Sequence, residues 1–545
     1  MPNAGHVVIK TIKITKMQKS PLLLMLALCL SISVFAQEKV DEDMVTLLKK
    51  HGVENSKVME TAAMITDVHG PRLTGSPQLD KATEWAVSQL KEWGLKNVHL
   101  EEWGPFGRGW ELEHFEMHAT SPSYWPIIAY PKAWSPSTGG VVEGELIHID
   151  ATEEKDLEKY AGKLKGKIVL FDEPREVKEW FEGTAQRLDE ENLLNRANAQ
   201  MPTPRPRGNR RNLGGFSFNQ KLRQFLEDEA PLAILDRSYK GDQGTVFVSR
   251  ATTAEGRPWD KDNTVVPQFT VAVEHYNRLF RLAERGLPVK VKLELKAKYT
   301  NPDGMEHNII AEIPGTDLKD EVVMFGAHYD SWHAATGATD NGAGSSVMME
   351  AARILMAAIK ESGVQPRRTL RIALWTGEEQ GLYGSRGYVA DHFADVPKGS
   401  SVPDALKPEQ KTVSAYYNMD NGTGKIRGVY LQGNQDVMPI FRAWLEPFKD
   451  MDASTLTLGN TGGTDHLAFD AVGIPGFQFI QDPMAYSTRT HHSNMDNLDH
   501  LSEDDLSQAA TIIASFVWHT AMRDGQLPRK ATDLEMGKKT TQGRR

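Results

Sequence analysis

VVMFGAHYDSWHAATGATDNGAGSS (322–346), followed after a helical segment by RTLRIALWTGEEQGLYG (368–384), decides the fold. Val322 to Ala327 is a short β-branched and aromatic run that ends in His328. Leu370 to Thr376 is a second such run, and it ends in Gly377, Glu378 and Glu379. Both predict buried strands. Between them, Asp340, Asn341 and Gly342 open a segment in which Val347, Ala351, Ile354, Leu355 and Ala358 recur at helical spacing, so the unit reads strand, helix, strand. A crossover helix between parallel strands brings both strand ends to one edge of the sheet. His328, Asp340, Glu378 and Glu379 then share a crevice beyond the carboxyl ends. Adjacent carboxylates repel, so a Glu-Glu pair after a buried strand needs either a cation or a solvated turn. Alone the pair reads as a solvated turn; with His328 and Asp340 on the same edge it reads as a cation site.

Working outward, the apolar pattern returns at NIIAEIPG (308–315), at Val413 to Met419, at Gly428 to Gln432 and at Gly476 to Ile480, predicting further strands. Asp420 follows one of these runs and so joins the same edge. Ser502 is expected to cap a last helix with Leu506, Ala510, Ile513 and Val517 along one face. On the N-terminal side, residues 41–67 and 79–93 carry helical spacing and flank PRLTGSPQLDKA (71–82), whose Pro71, Gly75 and Pro77 interrupt the helix. From Trp110 to about Tyr299 the pattern changes to short strands separated by Gly and Pro, a β-rich insertion. Within it AQMPTPRPRGNRRNLGG (199–215) has little to bury and is expected to be a mobile loop.

With 545 residues, 40% hydrophobic and 25% charged, the chain has the balance of a soluble protein of two or three domains. A net charge of −10 without a basic stripe argues against nucleic acid as a partner. Leu22 to Phe35 is a short apolar run behind Lys10, Lys13, Lys16 and Lys19, which predicts a signal peptide over 1–36, export to the periplasm or exterior, and no stable membrane insertion once it is removed. Translation starting at Met17 would give a more ordinary leader. The single cysteine, Cys29, lies inside that run, so any catalytic metal must be held by His, Asp and Glu.

Two divalent ions sharing one water need a bridging carboxylate, a His and a carboxylate on each side, and a separate base. The chain can supply each part, with the last ligand in AYSTRTHHSNMDN (485–497). HYDS, TDNGAG, WTGEEQGLYGS, YYNMD, GGTDH and HHSNMD, in that order, resemble the zinc exopeptidases of peptidase family M28, and the agreement spans residues 41 to 520. The resemblance implies an α/β fold with a mixed, mostly parallel sheet and helices on both faces. It also implies a protease-associated insert over 120–298, between an N-terminal part at 37–119 and a catalytic domain at 299–525; the residues beyond, 526–545, are polar and basic and are expected from their composition to form a frayed tail.

Carried over residue by residue, it implies two Zn²⁺ per chain bridged by Asp340, with His328 and Asp420 completing one site and Glu379 and His492 the other. His492 is chosen over His491 because the family's ligand lies four residues before the acidic residue, here Asp496. Glu378 is implied as general base to a metal-bridged hydroxide, Asp330 as the carboxylate that orients His328, and the Asp340–Asn341 peptide as cis. Asp465 and His466 lie near the pocket, and Thr461, Tyr486 or a histidine could face the oxyanion. The implied activity is hydrolysis near a free end of short peptides, as an aminopeptidase or dipeptidase, and the pairing common among relatives implies a homodimer. A single-zinc acyltransferase like glutaminyl cyclase, and a receptor-like relative without activity, are the competing readings. Retention of all five ligands speaks against both.

Overall fold

A computed structural model describes residues 38–202, 213–301, 304–397 and 403–530. The expected signal peptide, most of the expected loop at 199–215 and the tail beyond 530 lie outside the described residues. The quoted stretch forms the strand Leu318–His328, the helix Ala343–Ser362 and the strand Arg368–Trp375, with the two strands parallel and adjacent. They sit inside an eight-stranded sheet ordered Lys96–Trp103, Glu306–Ile313, Arg368–Trp375, Leu318–His328, Val413–Asn418, Gly476–Gln481, Ile426–Tyr430, Thr455–Thr457. The four strands from Arg368–Trp375 to Gly476–Gln481 are mutually parallel, and antiparallel strands flank them. Their carboxyl ends therefore share one edge, as the βαβ reading requires.

Helices cover both faces. On one, Ala343–Ser362 and Glu503–Met522 pack over Val323, Phe325, Leu370 and Ala415. Each fully buried Leu or Ile, such as Leu355 or Ile513, contributes about 1.5–3 kcal/mol of transfer free energy. The helix Ala343–Ser362 stops at Gly363, whose φ of 73° is the left-handed cap conformation open to glycine. The other face carries Tyr383–His392 and His466–Ala471 against Met324, Trp375 and Tyr416. Close strand approach also fixes Gly326: a Cβ there would sit 2.1 Å from the Ala373 carbonyl oxygen.

The β-rich region forms a second eight-stranded sheet with its own apolar core around Phe269, Leu279 and Leu293. Its long pair, Gly109–Ser121 with Lys290–Thr300, begins before and ends after the interval 120–298. A strap from this region crosses to the first sheet. Gln186 pairs with Met484, and Arg187 reaches Asp482 at 2.8 Å and Asp505 at 2.9 Å.

Two local expectations are corrected. Ser502 precedes the last helix but makes no side-chain cap hydrogen bond; three acids in the first turn, Glu503, Asp504 and Asp505, face the positive end of the helix instead. The described part of the expected tail is docked rather than frayed. Leu527 is buried, Lys530 pairs with Asp470 at 2.6 Å, and Arg529 donates to the carbonyls of Gln410 and Val413.

Candidate metal centre

Three of the five expected ligands, His328, Glu379 and Asp420, arrive from different strand ends. His328 is the last residue of its strand, Glu378 and Glu379 follow Trp375, and Asp420 follows Asn418. Asp340 is carried in a turn just before the helix Ala343–Ser362, where Asp340 and Asn341 leave helical geometry, and the Asp340–Asn341 peptide is cis. Asn341 pins this turn by donating to Met419 O and accepting from Gly344 N, both at 2.9 Å.

The carboxylate of Asp340 lies between two histidines. His328 Nε2 is 3.3 Å from its Oδ1, and His492 Nε2 is 3.1 Å from its Oδ2. On the first side, Asp420 Oδ2 is 3.6 Å and Glu378 Oε2 3.9 Å from His328 Nε2. On the second, Glu379 Oε2 is 2.9 Å from His492 Nε2, while His491 stands 3.7 Å from Asp340 and stacks on His492. Among the described residues, His328, Asp340 and Asp420 bring ligand atoms within 4.8 Å of one another, as do Asp340, His491 and His492. A third such group, His114, Glu116 and Glu294, lies on the second sheet.

The support around these groups is built from residues that local sequence patterns do not single out. Asp330 accepts from the backbone N–H of Glu378 at 3.2 Å and of Glu379 at 3.3 Å, and from Thr74 Oγ1 at 3.0 Å. His328 Nδ1 donates to the Asp330 backbone carbonyl at 3.1 Å, with the Asp330 carboxylate 3.6 Å away. Asp496 accepts from the N–H of Thr339 at 2.6 Å and of Asp340 at 3.1 Å, which sets the turn that presents Asp340. Fully buried Arg72 donates to the carbonyls of Tyr329, Ile65, Thr336 and Gly337. Its only signal in the sequence was its place in PRLTG.

Seven buried or nearly buried carboxylates converge here: Asp330, Asp340, Glu378, Glu379, Asp420, Asp465 and Asp496. Burial, reinforced by Asp420, Asp465 and Glu379, holds the Glu378 carboxyl well above the ordinary range against the pull of His328. Burial and the Asp340 charge push Glu379 up to about 7, and burial and Asp340 do the same for Asp496. Burial opposes charge on His328 and His492 as well. The surrounding carboxylates outweigh it, and both imidazoles are raised well above their usual value. Glu379 Oε1 is buried without a hydrogen-bond partner. Such crowding of carboxylates with an orphaned oxygen suits a cation.

Of the other expected residues, Tyr486 sets its hydroxyl against Asp340 and its ring 4.7 Å from His491. His466 is buried against Gln432, which also bonds Thr461.

Comparison with known proteins finds relatives along most of the chain. Residues 308–517 match peptidase family M28. Carboxypeptidase Q of Mus musculus is 26% identical over 495 residues, covering 88% of this chain and 89% of that one. Among solved structures, a peptidase M28 precursor from Shewanella amazonensis SB2B superposes with a TM-score of 0.63 at 22% identity, covering 90% of this chain and 100% of that one. BSAP, a zinc aminopeptidase from Bacillus subtilis, superposes with a TM-score of 0.53 at 20% identity, covering 86% and 95%. The chain is thus similar to peptidase family M28 over residues 308–517 and to carboxypeptidase Q along most of its length, and it shares the fold of solved M28 peptidases.

Proposed function

We propose that the chain is a zinc-dependent metallo-exopeptidase that cleaves short peptides near a free end, with His328, Asp340 and Asp420 holding one Zn²⁺ and Asp340, Glu379 and His492 holding a second. The observation that carries the reading is Asp340, whose two carboxylate oxygens face His328 and His492 on opposite sides. The donor set fits zinc: imidazole nitrogens and carboxylate oxygens, with Glu379 Oε1 buried and left without a hydrogen-bond partner in the protein itself. Bound there, zinc supplies Lewis acidity, lowering the pKa of water and polarising a peptide carbonyl.

The chain's own residues do the rest. Glu378 touches the centre without lying in the tightest ligand groups, and its raised proton affinity suits a base that takes a proton from water and returns it to the leaving amine. Asp330 fixes the Glu378 and Glu379 backbone, so that one carboxylate faces each side of Asp340. Tyr486 is the expected oxyanion partner whose hydroxyl reaches the ligands. The second sheet is assigned to a protease-associated-type insert on its position between the two parts of the catalytic sheet. The lysine-led apolar run at 22–35 supports export; no described helix is long and apolar enough to cross a membrane.

A panel of unblocked dipeptides, amino-acid amides and end-blocked peptides tests the proposal. Cleavage is expected only where an end is free, lost on chelation and restored by zinc. Cleavage inside end-blocked peptides, or activity indifferent to chelation, would overturn it.

A further inference from the structure

The second sheet turns one face to its own core and the other to solvent. Along the strand Gly109–Ser121, Phe115, Met117 and Ala119 point into that core, so the alternate residues His114, Glu116 and His118 share the outer face. On the neighbouring strand Lys290–Thr300, Val291, Leu293 and Leu295 point inward, and Lys292, Glu294 and Lys296 outward. The register sets Glu116 directly opposite Glu294, with His114 opposite Lys296 and His118 opposite Lys292.

Elsewhere on this face charge is matched across the strands. Lys298 lies 2.8 Å from Glu111 and 2.9 Å from Glu113, and Lys290 and Lys292 stand opposite Glu145 and Glu143 of the strand Val142–His148. Glu116 and Glu294 break the pattern, and like charges directly opposite in a sheet destabilise it. Lys296, 3.5 Å from Glu294 Oε1, offsets part of this. Imidazoles take the remaining places around the two carboxylates. His114 Nε2 is 3.6 Å from Glu294 Oε2, and His118 Nε2 is 3.8 Å from Glu116 Oε2. His114, Glu116 and Glu294 each bring a ligand atom within 4.8 Å of the other two. Two ligands of a tetrahedral zinc ion, each about 2.0–2.1 Å from it, lie about 3.3–3.5 Å apart, so these pairs need little movement to share one ion. His118 is already oriented for the task. Its Nδ1 is bonded to the Tyr124 hydroxyl at 3.1 Å and its ring stacks on Tyr124, which leaves Nε2 toward Glu116.

We propose that His114, Glu116, His118 and Glu294 form a metal site separate from the Asp340 centre, which takes one Zn²⁺ and clamps the two long strands of this sheet together. Two imidazoles and two carboxylates are donors for zinc rather than for calcium or magnesium, which take oxygen ligands alone. The ion cancels the repulsion between Glu116 and Glu294, and none of the four residues takes part in peptide hydrolysis. With the side chains of His114 44% and Glu116 40% exposed, the site binds more weakly than the buried Asp340 centre and fills only in zinc excess. At stoichiometric zinc the count per chain reports the Asp340 centre alone.

Zinc content and histidine reactivity of the intact enzyme test this. Wild type and the double variant His114→Gln with His118→Gln are dialysed against excess zinc, and zinc per chain and dipeptide turnover are measured. Wild type is expected to hold one zinc ion more than the variant, with turnover the same in both. Carbethoxylation of His114 and His118, mapped by mass spectrometry, should slow in wild type in the presence of excess zinc and should not respond to magnesium. Glu116→Gln removes a ligand and the repulsion together. It should abolish zinc protection of both histidines and raise the unfolding midpoint of chelator-treated protein above that of wild type. Equal zinc content in wild type and the double variant, or histidine modification indifferent to zinc, overturns the proposal. A double variant that loses turnover along with its zinc overturns it as well, because these histidines would then support the Asp340 centre rather than a site of their own.

Discussion

Replacing Arg72 by Met removes the tie between the N-terminal helices and the loop that runs from His328 to Asp340. The guanidinium is fully buried and donates to four carbonyls, at 2.6 Å to Tyr329, 3.0 Å to Ile65, 2.9 Å to Thr336 and 3.0 Å to Gly337. Methionine fills much of the same volume but removes the guanidinium donor from all four; Gly337 O keeps a second donor, the Gly342 N–H at 2.9 Å. Each orphaned buried carbonyl costs about 1–3 kcal/mol before relaxation. Removing one charged partner from a buried network costs about 3–5 kcal/mol in all. Against a typical folding stability of about 5–15 kcal/mol this is a large fraction. The expected result is a fall of roughly 3–5 °C in the unfolding midpoint of the metal-free protein, at about 2.1 cal/mol/K of unfolding entropy per residue. Because Tyr329, Thr336 and Gly337 belong to the loop that carries the ligands, zinc affinity should fall too. Calorimetry and a zinc titration of both proteins check this. A midpoint within about one degree of wild type, with zinc affinity unchanged, would refute the reasoning, since loss of four buried hydrogen bonds cannot be silent.

Glu378→Gln should keep its zinc and lose about 10²–10⁴ in turnover, because an amide cannot accept the proton of water. Glu379→Gln should lose zinc as well as activity; equal zinc content in the two variants would contradict the assigned roles. A third prediction concerns Glu306, 4% exposed, accepting from Asn301 at 2.6 Å and pushed up to about 8 by burial and the nearby Asp80. A raised folded pKa means the folded state holds the proton more tightly. Its contribution is therefore complete below the ordinary pKa of 4.5 and is lost as pH rises through about 8. At about 1.4 kcal/mol per pKa unit, Glu306→Gln should gain stability over wild type progressively from pH 5 to pH 9. A difference between their unfolding midpoints that does not change with pH would contradict this.

The sheet edge was legible because its central strands are buried on both faces. Val413–Asn418, buried throughout, reads as a continuous apolar run, so the first polar residues after each run mark the edge. That brought His328, Asp340, Glu378, Glu379 and Asp420 together from spacing alone, whereas His492, in an irregular loop, came only from resemblance. What remained hidden depends on contacts across hundreds of residues. Arg72 and Thr74 sit in a segment that looks like a simple helix break, and Asp496 looked like a spacing mark rather than the acceptor that sets the Asp340 turn. The docking of Arg529 and Lys530 was hidden for the same reason. A short polar basic segment carries no periodicity, and its partners, Val413 and Asp470, lie far back in the chain.

The central claim is that Asp340 is shared by two metal ions. Zinc content per chain, followed during titration of chelator-treated protein alongside dipeptide turnover, tests it most directly. The account predicts saturation at two zinc ions per chain, with full turnover reached only as the second binds. Saturation at one zinc ion, with turnover complete at that point, would contradict it.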